Sequence, residues 1–188
     1  LQTRQWMPDA VEGHECFLCA LPFSHSYGLT ATLNVPVTVG ATLILKPIFN
    51  VGDILKAVKK FRPTIFPGVP NMYVAINNFR GARKFGISSI KACISGSAPL
   101  PVEVQEAFEK LTRGKLVEGY GLTEASPVTH ANPLGGNRKV GSIGLPVPST
   151  EAAVVDLVRA RKEVKTGQIG ELVVRGPQVM LGYWRNEA

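Results

Sequence analysis

The sequence predicts an α/β fold: a mostly parallel sheet with flanking helices, followed by a smaller β-rich lobe that we expect to be barrel-like. Up to residue 130, short apolar runs alternate with segments of helical periodicity, the pattern of parallel strands joined by covering helices. After Pro127, glycine, proline and β-branched residues dominate and no helical period continues. We therefore divide the chain into an α/β part, residues 1–130, and a β-rich part, residues 131–188.

The composition is that of a globular protein. With 188 residues, of which 45% are hydrophobic and 19% charged, the chain can bury a sizeable core and does not belong to the disordered class. The net charge of +7 suits polyanionic ligands, but lysine and arginine are scattered without a basic run, so we expect no nucleic-acid binding. The sequence has no initiator methionine, and we expect it to be an internal fragment of a longer protein.

The first predicted strand is Cys16–Leu21, a buried apolar run that Pro22 ends. The loop that follows, Phe23–Gly28, lies beyond the carboxyl end of this strand, which is where open α/β sheets bind ligands. We expect Leu29–Val39 to form a helix and Ala41–Leu45 to form a second short strand.

The middle of the α/β part predicts two helices around a short strand. Residues Val51–Phe61 have apolar side chains at a clear helical period, and Asn50 is a suitable N-cap. We expect Pro63–Pro67 to be a short strand between prolines. Val69–Phe79 should be the next helix, since Pro70 is tolerated in a first turn.

The remaining elements of the α/β part lead to a glycine-rich loop. We expect a strand at Ile90–Ser95, a helix at Pro101–Leu111 with proline at its start, and a strand at Lys115–Val117 that enters this loop. In the β-rich part, Ala152–Asp156 and Glu171–Arg175 are short runs bounded by turn residues, and we expect strands there.

The three cysteines predict neither a metal site nor a disulfide framework. Cys16 and Cys19 have CxxC spacing, but no second pair follows, and residues three apart on a strand point to opposite faces. We expect both thiols, and that of Cys93, to be buried and inert, because free cysteine packs as a small hydrophobic residue. This usage demands no oxidising compartment, which favours the cytoplasm.

The stretch Val117–Thr129 carries the clearest chemistry. Two glycines flank Tyr120; glycine lets a ligand approach the main chain, and the tyrosine ring offers a flat face to a planar group. Thr123 can bond a phosphate oxygen, and Glu124 can hold Mg²⁺. The residues alone leave two interpretations open: a nucleotide site, or a glycine-rich hairpin with an exposed tyrosine.

Three other segments have a less specific chemistry. His25 lies between serines and aromatic residues and could be a general base, a metal ligand or a surface histidine. Ser95–Pro99 follows a strand, and its small residues would let a phosphate or a base approach the backbone, unless the segment is a plain tight turn. It does not match GxGxxG, which excludes a dinucleotide motif. We interpret Gly182–Trp184 mainly as an aromatic corner.

Four stretches occur in a characteristic order: Leu21–Gly28 (LPFSHSYG), Ser95–Pro101 (SGSAPLP), Tyr120–Pro127 (YGLTEASP) and Gly170–Trp184 (GELVVRGPQVMLGYW). Together they resemble the motifs of the adenylate-forming superfamily, which includes acyl-CoA synthetases, peptide-synthetase adenylation domains and beetle luciferases. The third contains the Tyr-Gly-x-Thr-Glu signature of that superfamily. Gly141–Asp156 is especially similar to bacterial long-chain fatty-acid–CoA ligases.

The resemblance implies a role for each candidate residue. It puts His25 beside the reacting carboxylate and α-phosphate, Tyr27 in the wall of the acyl pocket, Thr123 on the phosphates and Glu124 on Mg²⁺. His25, Thr123 and Glu124 are thus the implied catalytic residues. The implied nucleotide contacts are Gly96, Ser97, Ala98, Gly119, Tyr120, Gly121 and Thr123. The helices at 29–39 and 69–79 are candidates for the acyl tunnel wall, although core helices need no such role.

The resemblance also implies an activity: an ATP-dependent long-chain fatty-acid–CoA ligase that uses ATP, Mg²⁺ and coenzyme A to form an acyl-adenylate and then a thioester. An aryl- or amino-acid-activating relative stays an alternative, although an amino-acid activator would usually carry an aspartate near His25. The phosphate loop, ribose aspartate and catalytic lysine of the superfamily lie outside this sequence, so we expect this chain alone to bind nucleotide weakly without turnover. We expect a cytoplasmic enzyme, with peripheral contact to the inner membrane face and the oligomeric state left open.

Overall fold

The computed structural model describes residues 2–7, 9–158 and 162–186. Its strands are β1 Cys16–Cys19, β2 Thr42–Leu45, β3 Ala92–Ser95, β4 Lys115–Gly121, β5 Val128–Ala131, β6 Leu145–Pro146, β7 Glu151–Val155 and β8 Glu171–Arg175. Its α-helices are α1 Gln2–Trp6, α2 Ser26–Leu29, α3 Val35–Thr38, α4 Val51–Phe61, α5 Pro70–Asn77 and α6 Val102–Thr112. A π-helical turn, Thr30–Asn34, joins α2 to α3, and short 3-10 turns lie at Ala82–Phe85, Ile87–Ser89 and Thr123–Ala125.

The main row of strands runs in the order β2, β1, the segment at Ile65, β3, β4, β5, β6. The pairs β1–β2 and β3–β4 are parallel, and Ile65 bridges Phe17 on one side and Ala92 on the other, also in parallel. Strands β5 and β6 then add antiparallel, so the sheet is mixed. The predicted α/β fold is confirmed, with a parallel part that ends at β4.

The short strand predicted between two prolines is reduced to isolated bridges. The amide of Leu18 donates to the carbonyl of Ile65 at 2.9 Å, and the amide of Phe66 donates to that of Ala92 at 3.1 Å. The segment therefore still occupies a strand position between β1 and β3. The ladder is short because a proline nitrogen has no hydrogen to donate.

Helix α4 shows how a local pattern defines an element. Its apolar side chains are buried, namely Ile54, Leu55, Ala57 and Val58. The side-chain oxygen of Asn50 accepts a hydrogen bond from the amide of Asp53 at 3.1 Å, as the predicted N-cap should. The helix ends where Arg62 adopts the left-handed conformation, with φ at 53°. The observed bounds are those that the sequence predicts.

Helices α4, α5 and α6 cover one face of the sheet and enclose the larger hydrophobic cluster. Buried aromatic rings pack edge to face within it, with Phe66 and Tyr73 at 5.6 Å between centroids and Tyr73 and Phe108 at 4.9 Å. The Tyr73 hydroxyl lies 2.9 Å from the carbonyl oxygens of Phe66 and Ile94, so its proton has an acceptor. The aromatic side chains of this face are closely packed, and the buried phenol is hydrogen-bonded.

The other face carries the smaller hydrophobic cluster, built from β1, the helical segment 26–39 and Ile65. Because successive strand residues point to opposite faces, Leu18 belongs to the larger cluster, whereas Phe17 and Cys19 belong to the smaller one. Cys16 packs against the larger cluster, so the two thiols of the CxxC spacing diverge as predicted.

The cysteines behave as small hydrophobic residues, with one exception to the prediction. All three are free thiols; Cys19 and Cys93 are buried as expected, but Cys16 is only half-buried. Burial raises the pKa of Cys19 to about 12 and that of Cys93 well above its ordinary value. Neither buried thiol is ionised at neutral pH, which agrees with an inert role.

The helix predicted at 29–39 begins earlier, at Ser26, and is not a regular α-helix. Its middle turn is π-helical, and the Thr32 hydroxyl donates to the carbonyl of Gly28 at 2.6 Å. Only glycine fits at position 28, because a Cβ there would lie 2.1 Å from the carbonyl oxygen of Pro22. The close approach of Gly28 to the Pro22 carbonyl allows the helix to begin directly after the loop that follows β1.

Strand β4 is longer than predicted, and this corrects the loop expected after Val117. Tyr120 lies within the strand and pairs with His130 of β5. Gly121 is required at the end of the strand, because a Cβ there would lie 1.9 Å from the carbonyl oxygen of Pro127. The extension depends on an antiparallel partner further along the chain, which the local sequence pattern did not reveal.

The β-rich part is less uniform than predicted. Strand β5 runs across the predicted boundary at residue 130, and β6 extends the same row of strands. Strands β7 and β8 form a separate antiparallel pair where the sequence predicts strands, and Arg175 donates to Glu151 at its end. Within residues 128–158 and 162–186 the strands do not close into a barrel, which corrects the barrel-like expectation. The division into two parts stays a prediction.

None of the helices in the described ranges is long and apolar enough to cross a bilayer.

Candidate active site

The carboxyl ends of β1, β3 and β4 open into a cavity of about 390 Å³. Their loops meet there because the carboxyl ends of parallel strands share one edge of the sheet. The mouth is polar and includes the exposed residues His25, Ser97 and Thr123 and the half-buried Glu124. The inner walls come largely from the smaller hydrophobic cluster, namely Met7, Phe17, Val35, Ile65 and Leu134.

His25 lies at the mouth of the cavity and is the N-cap of α2. Its Nδ1 accepts a hydrogen bond from the amide of Tyr27 at 3.1 Å. In the neutral ring the proton is therefore on Nε2, which leaves Nε2 as the donor. The cap fixes the orientation of the imidazole while the side chain stays exposed.

Tyr27 connects the His25 loop to β3. Its hydroxyl donates to the carbonyl of Ile94 at 2.7 Å, and the carbonyl of Gly68 lies 3.3 Å away. Burial raises the pKa of this phenol well above its ordinary value. The ring packs on Gly96, where a Cβ would come within 3.1 Å of it. Tyr27 lines the cavity as predicted, and its contact with a substrate stays a prediction.

The loop after β3 contributes part of the predicted nucleotide surface. Gly96 and Ser97 line the cavity, whereas Ala98 is exposed and lies outside the wall. Ser97 has a φ of 68°, a left-handed conformation that is uncommon for residues other than glycine. The chain turns sharply at Ser97, which explains why the next residue leaves the cavity.

Tyr120 lies beside the Ser97 loop on the same edge of the sheet. Strands β3 and β4 pair in parallel with Ser95 opposite Glu118, and both Ser97 and Tyr120 line the cavity. Tyr120 is 36% exposed and borders the cavity, so a ligand there can reach its side chain. The buried ring of His130 packs edge-on against it, with centroids 6.3 Å apart.

The turn after β4 brings a hydroxyl next to the His25 loop. Thr123 Oγ1 lies 3.4 Å from the hydroxyl of Ser26, so the loops after β1 and β4 are in contact across the mouth. Gly119 packs tightly on β3, because a Cβ there would come within 2.7 Å of the Ile94 side chain. The close packing of these segments defines the shape of the mouth.

Glu124 is held from outside the turn by the segment that follows β8. The Tyr183 hydroxyl donates to Glu124 Oε1 at 2.6 Å, and the amide of Met180 donates to the carbonyl of Glu124 at 2.8 Å. The hydrogen bond from Tyr183 holds the pKa of the Glu124 carboxyl below its ordinary value. Glu124 is therefore an anion at neutral pH.

Comparison with known protein families identifies the family to which this chain belongs. Residues 1–184 match the family described as AMP-binding enzyme. The chain belongs to this family. The superfamily resemblance of the four sequence motifs is thereby confirmed, because the matched range contains all of them.

The curated relatives of this AMP-binding enzyme chain include bacterial ligases. It is 50% identical over 185 residues to the long-chain-fatty-acid–CoA ligase of Bacillus subtilis (strain 168), covering 95% of this chain and 32% of the relative. It is 40% identical over 174 residues to the ligase of the same name from Escherichia coli O157:H7, covering 92% and 31%. The chain thus spans about a third of the length of these relatives.

Solved structures give the same picture of the fold. ATP-bound MatB from Rhodopseudomonas palustris superimposes with a TM-score of 0.85 at 30% identity, over 97% of this chain and 36% of that one. A long-chain-fatty-acid-CoA ligase from Archaeoglobus fulgidus superimposes with a TM-score of 0.86 at 26% identity, over 98% and 38%. The AMP-binding enzyme fold of this chain is therefore shown by sequence and by structure.

Most of the predicted site residues of this AMP-binding enzyme chain border one cavity. Those that line it are His25, Tyr27, Gly96, Ser97, Gly119, Tyr120, Gly121, Thr123 and Glu124, and Ala98 does not. Two supporting side chains, His130 and Tyr183, are not predicted from the sequence. Tyr183 lies within a recognised motif, but nothing local indicates that its hydroxyl reaches Glu124.

Only one of the two helices proposed for a tunnel wall borders the cavity. Thr30, Ala31 and Val35, all within or beside the π-helical turn, line it. Among the described residues, none from helix α5 does; this helix instead packs into the larger cluster on the opposite face. π-helical turns widen a helix locally and are frequent at functional sites.

The residues at the mouth fit a magnesium ion bound together with a nucleotide. Glu124 is the one acidic side chain on the cavity wall within the described ranges. No cluster of three or more His, Cys, Asp or Glu side chains suited to a metal occurs in those ranges either. Mg²⁺ usually takes one or two carboxylates and completes its shell with substrate phosphates and waters. A lone carboxylate beside a hydroxyl suits that arrangement better than a metal held by protein ligands alone.

Proposed function

We propose that this chain forms the nucleotide and acyl-binding part of an ATP-dependent long-chain fatty-acid–CoA ligase. One observation carries the proposal: a single cavity joins a polar mouth bearing His25, Tyr120, Thr123 and Glu124 to an apolar interior. A ligase of this kind must hold a charged reacting centre and a hydrocarbon chain next to each other. The names of the bacterial relatives support the same substrate class.

The proposed reaction has two steps at the mouth of the cavity. The fatty carboxylate attacks the α-phosphorus of ATP, which forms an acyl-adenylate and releases pyrophosphate. The thiolate of coenzyme A then attacks the acyl carbon, forms the thioester and releases AMP. Both steps depend mainly on positioning and on neutralising phosphate charge, since no covalent intermediate with the protein is needed.

We assign the adenine to the gap between Tyr120 and the loop at Gly96 and Ser97. The tyrosine ring supplies a flat apolar face, and the opposite wall is backbone with small side chains. His130 packs against the edge of Tyr120 and limits the movement of its ring. This assignment takes Gly119 and Gly121 as neighbours of the base, and it leaves Ala98 out.

His25 and Thr123 are assigned to the reacting groups. The Nε2–H of His25 can donate to the carboxylate or to the α-phosphate as negative charge develops, and the cap on Nδ1 keeps the ring aimed. The Thr123 hydroxyl can donate to a phosphate oxygen, and Glu124 would hold Mg²⁺. When bound, this ion would neutralise charge on the phosphates and on the departing pyrophosphate.

The apolar interior is assigned to the acyl chain. Each methylene transferred from water into an apolar site contributes about 0.8 kcal/mol, so a long chain binds strongly where a short one does not. The walls from Phe17, Val35 and Ile65 are buried and uncharged. Fatty acids are therefore favoured over polar carboxylates such as amino acids.

The proposal is tested in the protein that contains this chain at the length of its relatives. Exchange of labelled pyrophosphate into ATP is measured with hexadecanoate, benzoate and an amino acid as the carboxylate. We expect exchange with hexadecanoate to be the fastest, and Glu124→Gln to slow it by more than about tenfold, or roughly 1.4 kcal/mol. Faster exchange with benzoate or the amino acid would contradict the substrate class, and an unchanged rate in Glu124→Gln would contradict the site.

The isolated chain should behave differently from the whole enzyme. It spans about a third of the length of its relatives, so we expect it to bind nucleotide weakly and to form no acyl-CoA. Thioester formation by the purified 188-residue chain would contradict this expectation. A cytoplasmic location and peripheral membrane contact are part of the proposal and rest on the substrate class.

A further inference from the structure

Glu124 receives two hydrogen bonds from one short segment, Gly176–Trp184. The Tyr183 hydroxyl donates to the carboxylate oxygen Oε1 at 2.6 Å, and the amide of Met180 donates to the Glu124 carbonyl at 2.8 Å. One bond thus fixes the backbone of the residue and the other fixes its side chain. Glu124 and Tyr183 are separated by 59 positions in sequence, so the contact is a product of the fold.

The same segment is anchored to the sheet at its other end. The Gln178 side-chain amide donates to Thr150 Oγ1 at 2.7 Å, and the carbonyl of Val128 lies 3.4 Å away. Gln178 in turn accepts a hydrogen bond from the Gln2 side chain at 3.0 Å. These bonds tie the segment to the ends of β5 and β7, so Tyr183 reaches Glu124 from a fixed position.

The geometry leaves the carboxylate able to bind a cation. An ionised carboxylate has about four lone-pair directions on its two oxygens, and one phenol donor uses a single direction. The phenol that donates to Oε1 is neutral, so the negative charge of the Glu124 carboxylate stays available to a metal ion. The hydrogen bond also restricts rotation of the Glu124 side chain. Outer hydrogen bonds of this kind orient metal ligands elsewhere in proteins.

We propose that Tyr183 is a positioning residue, whose hydroxyl holds the Glu124 carboxylate at the cavity mouth so that it can bind the Mg²⁺ of the nucleotide. The inference rests on the proposed function, because it takes Glu124 as the metal ligand. The competing explanation is that Tyr183 merely attaches the Gly176–Trp184 segment to the sheet. The two explanations differ in what removal of the hydroxyl does to metal binding and to stability.

The test uses the full-length enzyme and its Tyr183→Phe variant, with Mn²⁺ as the spectroscopic probe for the Mg²⁺ site. Binding of Mn²⁺ in the presence of a non-hydrolysable ATP analogue is followed by electron paramagnetic resonance. We expect Tyr183→Phe to weaken this binding by about tenfold, as loss of an outer hydrogen bond does at other metal sites. Binding of the analogue without metal and the unfolding temperature should be unchanged.

The matched control is Trp184→Phe, a change to the neighbouring aromatic residue, which is 87% exposed. Its Mn²⁺ affinity should stay within about twofold of the parent enzyme, since no hydrogen bond to Glu124 is lost. Equal weakening in both variants, together with a lowered unfolding temperature, would mean that the segment is simply loosened, and this would overturn the inference.

A double substitution separates the inference from the proposed function. In the Glu124→Gln background, Tyr183→Phe should weaken Mn²⁺ binding no further, because coupled residues are not additive. An undiminished affinity in Tyr183→Phe, beside a clear loss in Glu124→Gln, would overturn the inference alone. Undiminished affinity in Glu124→Gln would overturn the proposed metal ligand, and the inference with it.

Discussion

Helices α4, α5 and α6 cover one face of the sheet with a closely packed core, whereas the face beneath residues 26–38 encloses a cavity of about 390 Å³. The packed face has the edge-to-face aromatic contacts of Phe66, Tyr73 and Phe108. The cavity face has a smaller cluster and an irregular helix with a π-helical turn. Both faces share the same strands, so the difference arises from the segments laid over them.

This difference separates stability from binding. A close-packed face contributes most of the hydrophobic free energy, and it tolerates neither loss nor gain of volume. A cavity lacks those contacts, so the face that contains it depends on the opposite face to remain folded. Substitutions on the packed face should therefore change mainly the free energy of unfolding, and substitutions on the cavity face should change mainly ligand binding.

The largest effect is expected on the packed face. Phe108→Ala removes a ring that is 1% exposed and packs on Tyr73, so the free energy of unfolding should fall by about 3–5 kcal/mol. Urea unfolding of the full-length enzyme measures this loss. Val35→Ala beside the cavity is the control and should cost less, because Val35 already faces a void. Equal losses at the two positions would remove the distinction between the faces.

The second prediction concerns the mouth on the cavity face. Tyr120→Ala should weaken ATP binding by about 1–3 kcal/mol, the range of stacking between a base and an aromatic ring. Tyr120→Phe keeps the ring and should bind within about twofold of the parent enzyme, a change below 1 kcal/mol. Calorimetric titration with ATP distinguishes the variants. If Tyr120→Ala bound ATP as the parent enzyme does, the adenine assignment would be wrong.

The third prediction places the same substitution on each face. Ala31→Leu fills part of the cavity and should displace about two methylenes of a long substrate. The lost transfer free energy, roughly 1.6 kcal/mol, should lower kcat/KM for hexadecanoate relative to octanoate by more than about tenfold. Its unfolding free energy should change little. Ala57→Leu on helix α4 adds the same volume to the packed face and should instead destabilise by about 1–3 kcal/mol. Unaltered chain-length preference in Ala31→Leu would argue against the acyl assignment.

The smallest effect concerns an ion pair that links α6 on the packed face to the segment after β5. Arg138 Nη2 donates to Glu109 Oε2 at 2.6 Å, and the amide of Leu116 donates to Glu109 Oε1 at 2.9 Å. Burial alone would raise the pKa of Glu109, but the hydrogen bonds from Arg138 and Leu116 outweigh it and hold the pKa below its ordinary value. The pair therefore stabilises the folded state when Glu109 is ionised.

Arg138→Met should lower the unfolding free energy at neutral pH by about 1 kcal/mol, since the pair is still partly solvated. Because the folded pKa is depressed, the contribution is fully present above the ordinary value of 4.5 and is lost as the pH falls through the folded pKa. The difference between parent and variant should accordingly vanish in acid. A difference that persisted in strong acid would mean that Arg138 acts through the packing of its long apolar stem.

Features that depend on local sequence were predicted well. The bounds of α4 follow from its apolar period and from Asn50, both contained within a dozen residues. The two loops that border the cavity were found because each follows a strand of the parallel sheet. Signals of this kind depend only on neighbouring residues, so the sequence alone was enough to predict the α4 bounds and the two loops.

Features that depend on distant partners were missed. The extension of β4 past Val117 requires its antiparallel neighbour β5, and Ala98 leaves the wall because Ser97 turns the chain with a positive φ. The contact of Tyr183 with Glu124 joins segments that no periodicity relates. A pattern in the sequence shows which residues have suitable chemistry, but the pairing of strands decides which of them meet.

The order of the strands has a consequence for synthesis of the protein on the ribosome. After β1 and β2, the segment at Ile65 adds to the free side of β1, and each later strand (β3, β4, β5, β6) lies beside the position made just before it. The row can therefore grow outward from β1 as the chain emerges, without waiting for distant segments. The carboxylate at the mouth is different, because its phenol partner is synthesised 59 residues later. Ribosome-bound chains that end before Tyr183 should already resist protease across α4 to α6, although Glu124 still lacks its hydrogen bond from Tyr183.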